Sequence, residues 1–183
     1  MSRIGSEPIV LPQSVTAQVS QNNTVTVEGP RGKMSHVLGS EITAEVKEGQ
    51  IVLSCKSDQK THKALYGTSR SLLQNAVIGV SEGHKATLEL IGVGYKSSMR
   101  GKALDLVLGH SHGILFFPPP EVHVSAAMTR GTNPMVHLES HDKQLLGQIA
   151  AKIKSLRKAD PYKGKGVYFL GEKVRRKAGK SGK

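Results

Sequence analysis

Apolar and polar residues alternate with a period of two in Thr24-Val25-Thr26-Val27, the pattern of a strand with one buried face. Glu28-Gly29-Pro30-Arg31-Gly32 then reads as a turn, because Gly and Pro punctuate regular structure. Further strands are predicted over 34–38, 42–46 and 51–55. After them the period lengthens. Ser57-Asp58 can cap a helix running through about Gly79, with Leu65, Leu72, Leu73 and Ala76 on one stripe. The second half repeats the order. Ala86-Thr87-Leu88-Glu89-Leu90 and Leu104-Asp105-Leu106-Val107-Leu108 read as strands, and 114–117, 122–126 and 135–138 add more, interrupted by Pro118-Pro119-Pro120. A helix follows from about His141 to Lys158, with Leu145, Ile149, Ile153 and Leu156 at helical spacing and Lys152, Lys154, Arg157 and Lys158 largely off that stripe.

Laid on each other at an offset of 80 residues, Lys63-Ala64-Leu65-Tyr66-Gly67 meets Lys143-Gln144-Leu145-Leu146-Gly147, with three identities in five. Strands followed by a single helix, twice over, predict an α+β fold built by tandem duplication. Each small domain would be a mainly antiparallel sheet with one helix packed on it. The predicted divisions are 1–82, 83–170 and a flexible basic tail over 171–183, where Gly, Lys and Arg leave almost nothing to bury.

Composition fits two small cores, since 37% of residues are hydrophobic but only 4% are aromatic. No apolar run approaches the roughly 18 residues of a membrane span, and the amino-terminal residues lack the features of a signal or transit peptide. The expected location is therefore the cytosol. Cys55 is the single cysteine, which rules out an internal disulfide and favours a small apolar residue on a strand over a catalytic thiol.

Charge changes the picture most. The formal balance is +12, which points to a polyanionic partner. Residues 1–82 hold 8 basic and 7 acidic residues, a balance of +1, whereas residues 152–183 hold 12 basic residues against Asp160 and Glu172 alone, a balance of +10. The excess sits in the last sixth of the chain.

Two segments there can meet phosphate. Asp160-Pro161-Tyr162-Lys163-Gly164-Lys165-Gly166-Val167 offers two glycines that let backbone approach a phosphate, two lysines as point charges, and Tyr162 as a stacking face. A solvated Gly-Lys loop is the alternative. Glu172-Lys173-Val174-Arg175-Arg176-Lys177-Ala178-Gly179-Lys180 can thread between phosphates and release counterions. A membrane-surface patch would want large apolar residues beside the charges, and only Val174 is available. Lys96, Arg100 and Lys102 are placed near the tip of a hairpin that could also touch RNA. The candidate RNA-binding residues are thus Arg157, Lys158, Tyr162, Lys163, Lys165, Lys173, Arg175, Arg176, Lys177, Lys180, Lys96 and Arg100.

Other chemistry finds little support. Gly92-Val93-Gly94-Tyr95 begins like a dinucleotide loop, but Ser97 stands at the third Gly position and a strand follows. His110-Ser111-His112 has no Cys or carboxylate cluster beside it to complete a metal site. No nucleophile or metalloprotease motif appears. No catalytic residue, metal or cofactor is expected.

Nearly end to end, the sequence resembles the bacterial form of the ribosomal protein L-six family of the large subunit. The resemblance rests on Met1-Ser2-Arg3-Ile4-Gly5, Gly29-Pro30-Arg31-Gly32, Ala64-Leu65-Tyr66-Gly67-Thr68, Gly92-Val93-Gly94-Tyr95 and Gly147-Gln148-Ile149-Ala150-Ala151. Its most specific part is Pro161-Tyr162-Lys163-Gly164-Lys165-Gly166-Val167, similar to the family signature, followed by the basic ending from Glu172 to Lys180. The resemblance implies a duplicated sheet-and-helix fold and binding to the large ribosomal RNA, mainly through the second domain. It places the protein near the sarcin-ricin loop where translational GTPases dock, with neighbouring ribosomal proteins as further partners. Ser6 and Glu7 stand where the family usually carries Lys and a variable residue, and Gly113 where Pro is common. Tyr168 replaces a usual Arg, removing a charge but offering a stacking face. A free RNA-binding regulator and a phosphoryl-substrate enzyme remain the competing classes.

Overall fold

The computed structural model describes residues 4–129 and 131–180. The first residues of the resemblance, Met1-Ser2-Arg3, and the end of the tail, residues 181–183, lie outside the described residues.

The chain folds as two compact units. The first runs to His84 and takes in His141–Lys143; the second comprises Lys85–Ser140 and the chain from Gln144 onward. In the first unit, β2 (Thr16–Val19), β3 (Thr24–Gly29) and β4 (Gly32–Val37) form one antiparallel sheet. A second sheet has the order β1 (Ile9–Val10), β6 (Gln50–Cys55), β5 (Ile42–Lys47). Helix α1 (Lys60–Ser81) packs its apolar face on them. Alternation decides which side is inward. Val25 and Val27 are fully buried, while Thr24 and Thr26 between them remain half-exposed.

In the second unit, β10 (Ile114–Phe116), β9 (Ala103–Val107) and β8 (Lys96–Arg100) form a three-stranded sheet. A four-stranded sheet has the order β11 (Val122–Ala127), β12 (Met135–Ser140), β7 (His84–Ile91), β13 (Gly166–Phe169). Helix α2 (Lys143–Leu156) adds Leu146, Ile149, Ala150 and Ile153 to the core formed by Leu88, Leu90, Leu104, Leu106, Val136 and Leu138. Each of the Leu, Ile and Val side chains contributes about 1.5–3 kcal/mol on burial.

The duplication is visible in the topology. The order β1-β6-β5 repeats as β7-β12-β11, and β2-β3-β4 repeats as β8-β9-β10. The 80-residue offset also holds for burial: Tyr66 matches Leu146, Ser69 matches Ile149 and Leu73 matches Ile153, all six buried. Strand β13 is the departure. It lies outside β7, pairing Gly166–Phe169 with Leu88–Ile91, and has no counterpart in the first unit among the described residues.

Several expectations are corrected. On α1, Leu65 and Leu72 face solvent, at 53% and 38% exposure, and the buried stripe is Tyr66, Ser69, Leu73, Ala76, Val77 and Val80. Tyr66 sets that phase by donating its hydroxyl to the Leu53 carbonyl at 3.0 Å. The helix cap is Gln59, without a side-chain cap bond; Asp58 pairs with Lys63 at 2.8 Å instead. Strands β1, β2 and β13 are additional to the predicted ones. Tyr95 is buried with its ring directly over Gly92, so the Gly92-Val93-Gly94 turn is the seat of an aromatic ring. Cys55 is half-buried at the end of β6, its Sγ 3.2 Å from the Ser57 carbonyl. No helix among the described residues is long and apolar enough to cross a membrane.

Candidate nucleic-acid interface

The last turn of α2, strand β13 and the tail are joined by a closed loop over residues 160–165. The Asp160 N–H donates to the Lys165 carbonyl at 2.7 Å, and the Gly164 N–H donates to the Asp160 carbonyl at 3.0 Å. Inside the loop the Asp160 carboxylate accepts the N–H groups of Tyr162 at 3.0 Å and Lys163 at 2.9 Å. These two backbone donors hold its pKa below the ordinary aspartate value, because they stabilise the charged form. Such an Asx turn lets a short side chain close what backbone alone would leave open. The loop then fixes Tyr162, 58% exposed, and the exposed Lys163 and Lys165 on a rigid base.

Both glycines serve this closure. Gly164 has φ +69° and is buried under the Arg176 guanidinium, where a Cβ would come within 2.9 Å of Nη2. Gly166 has φ +146°, and a Cβ there would lie 2.8 Å from the Lys158 carbonyl oxygen and 2.7 Å from the Ala159 Cα. The expectation that the glycines admit a phosphate to the backbone is thereby corrected: they admit the protein's own atoms. Below the loop, the Val167 N–H donates to the Arg157 carbonyl at 3.0 Å, clipping β13 to the end of α2.

The tail has no regular element among the described residues, yet it is fastened at three points. The Glu172 carboxylate accepts from Lys154 Nζ, at 2.6 Å to each oxygen, and from the Phe169 N–H at 3.0 Å. Both donors lower its pKa, Lys154 more strongly. Lys154 Nζ also lies 4.9 Å from the centroid of the Phe169 ring, in cation–π range. Farther on, Arg176 covers Gly164, and the Lys177 N–H donates to the Pro161 carbonyl at 2.9 Å. The picture of a wholly flexible arm is narrowed accordingly: residues 172–177 turn back along the loop.

These contacts sort the charges. The Asp160 carboxylate is engaged by two backbone N–H groups and stays charged beside Lys163 and Lys165, whereas Glu172 is paired with Lys154. Arg157, Lys158, Lys163, Lys165, Lys173, Arg175, Arg176, Lys177 and Lys180 are all exposed, and none makes an ion pair among the described residues. Lys154, by contrast, is spent internally. The two hairpin candidates separate. Arg100 pairs with Ala103 beside the turn at Gly101-Lys102, but Lys96 pairs with Val107 at the other end of β8. The expectation of a basic tip therefore holds for Arg100 and Lys102 and is corrected for Lys96, which follows Tyr95. Tyr168 is buried at 5% exposure, and burial raises its hydroxyl pKa. It supplies packing in place of the outward stacking face expected of it.

Sequence reasoning missed the Lys154–Glu172 clamp and the role of Asp160. An Asp two and three residues ahead of its backbone partners, followed by Pro, was the available signal for the second. The His110 and His112 rings stack at 5.7 Å, and His110 Nε2 lies 3.2 Å from the Leu156 carbonyl at the end of α2. No group of three or more metal-ligating side chains occurs among the described residues.

The family model described as ribosomal protein L6 matches residues 11–83 and 91–169, one copy on each half. The chain belongs to the ribosomal protein L6 family. Curated relatives bear this out along the whole length. The large ribosomal subunit protein uL6 of Amoebophilus asiaticus is 54% identical over 181 residues, covering 99% of this chain and 98% of the relative. Those of Cytophaga hutchinsonii and Parabacteroides distasonis are 52% and 50% identical, with the same coverage. The family is structural and non-enzymatic.

Proposed function

We propose that the chain is a structural constituent of the large ribosomal subunit that binds large-subunit ribosomal RNA through the basic end of its second unit. The observation that carries this reading is the set of nine exposed cations from Arg157 to Lys180, none in an ion pair among the described residues, on either side of and within one closed loop in a chain of the L6 family. Contacts of this kind reach phosphates, so specificity comes from RNA shape more than from base edges. Tyr162 adds a face for stacking or a hydroxyl for the sugar-phosphate backbone. Lys96 and Arg100 on β8 are proposed as further RNA contacts. The proposed site of action is close to the sarcin-ricin loop and the docking site of translational GTPases, with neighbouring ribosomal proteins as lasting partners and the GTPases as transient ones. The first unit, near charge balance, serves as a rigid body facing proteins or solvent. The protein is then ribosome-bound in the cytoplasm.

Sedimentation of a cell lysate tests the reading. The chain should travel with the large subunit at moderate salt and leave it only at high salt. Recovery solely in the slow soluble fraction at moderate salt would sink the proposal and favour a free RNA-binding regulator.

A further inference from the structure

Glu172 is an acid inside a segment whose purpose, on the reading above, is to meet a polyanion. Simple charge counting makes it a defect. Its contacts give it another role. One carboxylate holds Lys154 of α2 through both oxygens and receives the Phe169 N–H from the end of β13, while the Lys154 ammonium lies against the Phe169 ring. Three elements converge on this point: the helix, the last strand and the first residue of the basic extension after the Leu170-Gly171 turn. The Lys154 and Glu172 side chains are only 29% and 27% exposed, whereas each of the pairs Lys33–Glu28, Lys47–Glu45, Lys63–Asp58, Arg70–Glu7 and Lys85–Glu139 has at least one side chain 64% or more exposed. Charge-assisted, bidentate and partly shielded contacts are the strong class. From here the chain has one direction to go. It passes Val174, sets Arg176 over Gly164, and bonds Lys177 to Pro161.

We propose that Glu172 is a positioning residue for RNA binding: it pins the root of the basic extension to α2 through Lys154, so that Arg175, Arg176 and Lys177 are held beside Lys163 and Lys165 before RNA arrives. This rests on the proposed RNA-binding function. A pre-ordered arm loses less conformational freedom on association than a loose one, and that saving appears as affinity. The idea and bare electrostatics differ in sign. Glu172→Gln removes a negative charge and frees Lys154, so charge alone predicts tighter binding to any polyanion. Positioning predicts weaker binding.

The experiment uses the full chain, deproteinised large-subunit ribosomal RNA, and heparin as a shapeless polyanion. Three proteins are compared: the natural chain, Glu172→Gln, and the double variant Lys154→Met/Glu172→Gln, whose net charge equals that of the natural chain. Both variants should bind the ribosomal RNA more weakly by a similar factor, roughly three- to tenfold, while binding heparin no more weakly than the natural chain. Amide exchange is measured on the same proteins without RNA. The Lys177 amide should lose protection in both variants, with the amides of β11 and β12 unchanged. Equal or tighter RNA binding by Glu172→Gln would overturn the inference. So would recovery of natural affinity in the double variant, or an unaltered Lys177 amide. Failure of the natural chain itself to prefer ribosomal RNA over heparin would instead overturn the proposed function, and the Lys177 amide would still decide whether the clamp orders the arm.

Discussion

Gly166 lies hard against the Lys158 carbonyl, with room for a hydrogen but none for a methyl group, since a Cβ would sit 2.8 Å from that oxygen. The joint places the start of β13 directly against the chain leaving α2, and the Val167 N–H then reaches the Arg157 carbonyl. Replacement of Gly166 by Ala must shift backbone at both ends and adopt φ +146°, which L residues rarely tolerate. The expected cost is about 2–4 kcal/mol. Thermal denaturation should show the loss, and exchange of the β13 amides should report it first.

Ser97 on β8 offers a change of the opposite sign. It is 4% exposed, and its hydroxyl has no hydrogen-bond partner among the described residues. A buried donor without a partner keeps its desolvation cost and gains nothing for it. Ser97→Ala keeps the shape nearly unchanged and should stabilise the second unit by about 1 kcal/mol. A lower midpoint in denaturant would show that the hydroxyl is satisfied in solution.

The contrast between these two residues explains how much was legible in the sequence. Strands such as Thr24–Gly29 and helix α2 announce themselves because one face is buried and the period is regular. The duplication was readable for the same reason, since Tyr66 and Leu146 occupy one role at one offset. Strand β13 was not readable as a strand. Gly-Val-Tyr-Phe is short, it follows a Gly-Lys run, and its pairing with β7 joins residues more than 70 positions apart. Leu65 and Leu72 misled because leucine looks like core, while the phase of α1 is set by Tyr66 and its bond to Leu53. At the site, cations were visible as charges, but which acids were already occupied depends on contacts such as Lys154–Glu172 that no local pattern encodes.

Asp160 predicts a pH dependence confined to the loop. Its folded pKa lies below the ordinary value near 3.8 because two backbone N–H groups favour the carboxylate. A depressed pKa means the stabilisation is complete above the unfolded value and is lost as pH falls through the folded one. The Tyr162 and Lys163 amide resonances should therefore hold steady from neutral pH down to about 4 and move only below it. Asp160→Asn, which keeps one acceptor oxygen, should disturb both amides less than Asp160→Ala. Movement of these amides near pH 6 would refute the assignment.

Removal of residues 171–183 separates the fold from the charge. Strand β13 retains its ladder to β7, and the Leu170 N–H keeps its bond to the Thr87 carbonyl at 2.9 Å. The truncated chain should therefore remain folded in both units, although Lys154 loses its partner and the Phe169 N–H its acceptor. The deleted segment carries Lys173, Arg175, Arg176, Lys177, Lys180 and Lys183. If each neutralises one phosphate, the slope of log affinity against log salt should flatten by up to about five. A smaller change with a large loss at low salt would mean that the tail acts mainly by holding Lys163 and Lys165 in place, through Arg176 on Gly164 and Lys177 on Pro161. Binding measured from 50 to about 300 mM salt separates the two, because counterion release scales with salt and ordering does not.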